Sequence, residues 1–69
     1  MKTPKQKAKI LNDHHMQFCA GFYMDNGPRC FGARVRKGVL QVTPDFGTVW
    51  LNAPDATFHN FNGRPINLE

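Results

Sequence analysis

Serine is absent from this 69-residue chain, which excludes every serine nucleophile and the triads built on one. Acids are scarce. Asp13, Asp25, Asp45, Asp55 and Glu69 stand singly along the sequence, so no paired-carboxylate motif for general acid–base chemistry is present. No glycine-rich phosphate loop occurs either, since "NGPRCFG" lacks the Lys-Ser/Thr that follows one. No apolar run nears the roughly 18 residues of a membrane span. The basic start "MKTPKQKAKILNDHH" leads into no signal-type apolar region. These absences point away from an enzyme and from a membrane partner, and a cytoplasmic location is the expectation.

Cysteine is rare too. Cys19 and Cys30 are the two present, too few for a disulfide framework, and no CxxC pair is found. His15 lies four residues before Cys19, and Cys30 with His59 could complete a two-Cys, two-His tetrahedron. The short Cys or His pairs of zinc modules are missing, however, so neither a metal nor a cofactor is expected. A Cys–His nucleophile built with His14, His15 or His59 has no motif behind it.

What is present describes one small domain, residues 1–69, with a basic N-terminal segment over 1–9. Hydrophobic residues make up 41% of the chain and aromatics 12%, enough for a small core and too many for global disorder. So short a chain buries only roughly 60% of its unfolded surface, which leaves stability marginal. The net charge is +4. Lys2, Lys5, Lys7 and Lys9 supply it, because the five cations and five acids from Ile10 onward cancel. A neutral body with a basic arm suits contact with phosphates or an acidic protein surface.

Thr3-Pro4 reads as a helix start, with Thr as cap and Pro in the first turn. Ala8, Leu11, His15 and Phe18 follow at helical spacing, predicting an amphipathic helix over about 4–16. Lysines in its first turn oppose the helix dipole. "FCAGFYM" (18–24), "RCFGARVR" (29–36), "VLQVT" (39–43) and "TVWLN" (48–52) read as strands. The turn signals "DNGP", Lys37-Gly38 and "PDFG" separate them. The expected fold is α+β: an N-terminal amphipathic helix on a four-stranded antiparallel meander. A short aromatic helical turn carrying Phe58 and Phe61 and ending at Asn62-Gly63 would follow, with "RPINLE" as an extended tail.

Registering the hairpins sorts the side chains. A two-residue turn at Lys37-Gly38 pairs Arg36 with Val39, Val35 with Leu40, Arg34 with Gln41 and Ala33 with Val42. A four-residue turn over 44–47 pairs Val42 with Val49, Gln41 with Trp50 and Leu40 with Leu51. Extension through "DNGP" sets Phe22 opposite Phe31 and Tyr23 opposite Cys30. One face is then apolar. The other carries Arg34, Arg36, Gln41 and Trp50, with Tyr23 nearby. Cations interleaved with rings on a sheet face are what single-stranded nucleic-acid binders use. The expected binding residues are therefore Lys5, Lys7, Lys9, Arg34, Arg36, Gln41, Trp50 and Tyr23, with DNA or RNA as partner. The competing reading is a small regulatory or inhibitory protein that docks on a larger one through the same face, since Trp, Tyr and Arg are also protein hot spots. A homodimer joined by edge strands suits either. An equally weighted alternative covers Trp50 with "TFHNF" in a second mini-core with Phe58 and Phe61.

Overall fold

The computed structural model describes residues 2–18 and 20–69, so Cys19 and any metal or disulfide role for it lie outside the described residues. The helix α1 runs Pro4–Phe18, two residues beyond the expected end. A capping box starts it: Gln6 N–H donates to Thr3 Oγ1 and Thr3 N–H donates to Gln6 Oε1, at 3.2 and 2.8 Å. Reciprocal pairing of this kind satisfies donors the helix itself cannot. Ala8 and Leu11 face the core.

Two small antiparallel sheets follow where one four-stranded meander was expected. The first has strand order β2-β1-β6, from β1 (Phe22–Met24), β2 (Arg29–Cys30) and β6 (Phe58–His59). The second has order β3-β4-β5, from β3 (Gly32–Arg36), β4 (Val39–Thr43) and β5 (Leu51–Asn52). The predicted strand 29–36 is thus divided at Phe31, and its halves serve different sheets. The predicted strand 18–24 is shortened by the longer helix. Gly21 follows that helix in the left-handed region, and a Cβ there would lie 2.4 Å from the Cys30 carbonyl oxygen. Only glycine fits so close an approach.

The β3–β4 register is the one read from sequence, from Ala33↔Val42 to Arg36↔Val39. Lys37 and Gly38 both take positive φ in its turn, the twist that a two-residue hairpin requires. The other registers differ. Phe22 pairs with Cys30 and Tyr23 with Arg29, one residue away from the expected alignment. Pro28 is drawn in opposite Met24, whose N–H donates to its carbonyl at 3.3 Å, so the closing loop is 25–27 rather than 25–28, with Asn26 in the left-handed region. Gln41 pairs with Asn52 and Val42 with Leu51, two residues from expectation. That slip preserves the faces, because side chains alternate with period two.

The C-terminal aromatic segment is a strand, not a helical turn. Tyr23 pairs with His59 and Met24 with Phe58. A third strand was available to the first sheet, and the ladder satisfied these backbone groups better than an isolated turn would. Phe58 is buried edge-on to Phe22, with ring centroids 5.5 Å apart. The core combines Ala8, Leu11, Phe22, Cys30, Ala33, Leu40, Val42, Ala53, Phe58 and Leu68. The mini-core of Trp50 with Phe58 and Phe61 does not form: Phe58 joins the main core and Phe61 is exposed. Among the described residues no helix is long and apolar enough to cross a membrane.

Candidate functional site

Each sheet carries one row of polar and aromatic side chains across its three strands. In the second sheet, Arg34 Nε donates to Gln41 Oε1 at 2.8 Å, and Gln41 Nε2 donates to Asn52 Oδ1 at 2.7 Å. The Arg34 guanidinium lies over the Trp50 ring, 4.0 Å from its centroid. Trp50 is half-buried and outside the main core, as its alternation with Leu51 predicts. Its Nε1–H donates to the Gly47 carbonyl at 2.9 Å, which fixes the ring.

The first sheet's row reads Arg29–Tyr23–His59. Tyr23 and His59 stack nearly parallel, at 8° and 5.4 Å. The Arg29 guanidinium sits 5.5 Å from the Tyr23 centroid and 5.0 Å from that of Phe31, within cation–π range. Its Nε and one Nη also donate to the Ala20 carbonyl. Phe31 in turn contacts Phe46 at 5.6 Å. Phe31, Phe46 and Trp50 line one hollow of about 290 Å³ with Gly32 and Thr43. A succession of rings and guanidinium groups therefore links His59, Tyr23, Arg29, Phe31 and Phe46 to that hollow, and from it Trp50 and Arg34.

The loop that carries Phe46 is tightly tied. Asp45 Oδ1 accepts from Thr43 Oγ1 and from the N–H groups of Gly47, Thr48 and Val49, at 2.7 to 3.3 Å. The Thr43 hydrogen bond, helped by those from Val49, Gly47 and Thr48, holds the Asp45 carboxyl below its ordinary pKa. Amides drawn to a carboxylate cannot also serve a ladder, which is why β5 starts at Leu51 and not at Thr48. Val49 and Phe46 are left exposed, Phe46 at 91%.

The expected binding residues are only partly assembled. Arg34, Gln41 and Trp50 meet as described. Tyr23 belongs to the other sheet and reaches them by way of Arg29 and Phe31. Arg36 is exposed near the end of β3. Lys5 and Lys9 rim a groove with Arg34 and Val35, between α1 and β3. Lys9 also pairs with Asp13 at 2.7 Å. Lys7 turns away and lines a different pocket, beside Asp25, Asp55 and Glu69. Phe31, Phe46, Arg29 and His59 were not among the expected residues. The one-residue register difference explains Phe31, because it buries Cys30 against Phe22 and sends Phe31 to the other side. The exposed ring of Phe46 was signalled by its place inside "PDFG".

Asp25 anchors the far end of the first row. Thr57 Oγ1 donates to Asp25 Oδ2, and His59 Nδ1 lies against Oδ1. The Thr57 hydrogen bond and then His59 lower the Asp25 pKa. Among the described residues no three His, Cys, Asp or Glu side chains converge as a metal site would need. Two sheet edges are also occupied. The Asn12 amide donates to the Ala33 carbonyl and accepts from its N–H, at 2.9 and 2.8 Å. Beyond β6, Pro65 bridges His59 and Ile66 N–H donates to the Phe58 carbonyl. The chain matches no family model, and no curated protein or solved structure shows significant similarity to it.

Proposed function

We propose that this is a small non-enzymatic binding protein whose partner is nucleic acid. The observation that carries the reading is the succession of rings and guanidinium groups that joins the two cross-strand rows. Rings offer faces on which bases stack, and guanidinium groups between them meet the phosphates. Lys5 and Lys9 extend the cationic surface along the α1–β3 groove. Arg34 supports the role in a particular way: its hydrogen bond to Gln41 uses Nε and fixes the plane, so the Nη donors are pre-oriented for a planar acceptor.

Affinity for an oligonucleotide should fall steeply with salt. The expected log–log slope is about −0.9 per phosphate contacted on duplex and about −0.7 on single strands. Replacing Lys5 and Lys9 by Ala should flatten it. A slope near zero in the unmutated protein refutes nucleic acid as the partner. A second reading, docking on a larger protein, is favoured by the exposure of Phe46 and Val49, since an aromatic beside arginines also makes a protein hot spot.

A further inference from the structure

Resting on the nucleic-acid reading, we infer that the hollow between Phe31, Phe46 and Trp50 is a stacking slot for one unpaired base, selecting single strands with little regard to sequence. The hollow offers ring faces but few free polar groups. Both ends of the Asn12 amide are taken by Ala33. The Thr43 hydroxyl and Asp45 Oδ1 are consumed within the loop, which leaves Asp45 Oδ2 as an acceptor at the edge of the hollow. Trp50 Nε1–H is committed to Gly47. A base entering here meets three rings and a single spare side-chain acceptor, Asp45 Oδ2, too sparse a code to read a base edge, and stacking without such a code tolerates most bases. Inside a duplex the base faces are covered by their neighbours, so a paired base has no face to give.

The slot is also built in advance. Four hydrogen bonds to Asp45 hold the Phe46 loop, and Trp50 is pinned at its nitrogen. Arg29 contacts Phe31 on one side and Arg34 covers Trp50 on the other, so phosphates flanking the captured base meet a cation in either direction. That flanking charge favours a nucleotide over an apolar protein side chain as the occupant.

Fluorescence titrations with dT and dA homopolymers and a mixed duplex of equal length test this. Single strands should quench Trp50 and bind more tightly than the duplex, and the two homopolymers should differ by less than about tenfold. Phe46→Ala should weaken single-strand binding roughly 5- to 150-fold, the loss expected for one stacked base. Phe46→Tyr should restore it. Phe46 is almost fully exposed, so its removal should leave the circular dichroism spectrum and melting curve unchanged. Salt-dependent binding that is indifferent to Phe46→Ala, or equal for duplex and single strand, overturns the slot and leaves the broader reading standing. Absence of binding to any oligonucleotide at low salt removes both. A photocrosslinker at position 46 that captures one protein from nuclease-treated lysate, with no affinity for single strands, would place a protein anchor there instead.

Discussion

Asn12 shows how one polar side chain can close a sheet edge. Its amide imitates a peptide group and fills both hydrogen-bonding positions of Ala33, a residue only 8% exposed. Asn12→Ala should cost about 1–3 kcal/mol, because it strands a backbone donor and acceptor near the core. Chemical denaturation would measure it, and Asn12→Asp should rescue only the donor. Cys30 makes a second case. Burial pushes its thiol up from 9.0 to about 11. Between those values the unfolded chain releases the proton and the folded chain keeps it. Its contribution to stability is therefore complete below about pH 9 and is lost as pH rises toward 11. Cys30→Ala should flatten this alkaline decline in urea melts. Neither role was legible beforehand. Asn12 sits on the helix side that periodicity assigns to solvent, and the register expected from "DNGP", one residue off, sets Cys30 opposite Tyr23 on the polar face rather than opposite Phe22.

Among the elements, the 44–50 loop decides most about the candidate surface. Gly47 adopts φ 108°, which side chains disfavour, and its carbonyl holds the Trp50 ring. Gly47→Ala should strain the loop and destabilise the fold by about 1 kcal/mol or more, with a change in Trp50 emission as the local readout. The lowered Asp45 pKa carries a pH signature. Its stabilising effect is present above the ordinary value of 3.8 and fades as pH falls through the lower folded value. Trp50 emission should therefore shift only as pH falls below 3.8, and Asp45→Asn should remove the shift. The helix and the β3–β4 hairpin were readable because their signals are local: a cap, a period, and a two-residue turn with a fixed twist. The 44–50 loop was not, since its carboxylate outcompetes the ladder for the same amides.

At the scale of the whole molecule, the basic N-terminal segment is not one surface. Lys5 and Lys9 face the β3 groove, whereas Lys7 lines a pocket with three acids at the other side of the helix. The nucleic-acid reading then predicts unequal lysines. Lys5→Ala and Lys9→Ala should each reduce the salt slope by up to about one contact, and Lys7→Ala should leave it nearly unchanged. Equal effects from all three would mean that the segment acts as an undirected cationic arm. The homodimer expected through free sheet edges meets an obstacle at this scale too, since Asn12 occupies part of the β3 edge and the C-terminal strand of chain covers β6.

Composition and periodicity by themselves determined the class of the protein: α+β, with an N-terminal amphipathic helix, antiparallel pairing, and a Trp50 that stands apart from the main core. Those features follow from interactions only a few residues apart, or from an alternation that a two-residue slip does not alter. Tertiary structure decided the rest. Whether residues 29–36 make one strand or two depends on which partners β1 and β4 offer. Whether "TFHNF" coils or pairs depends on a free edge formed more than thirty residues earlier. Such choices are settled by competition for distant backbone groups and for space in one small core. The same competition brought Phe31 and Phe46 to the hollow that Trp50 lines, and Arg29 against Phe31.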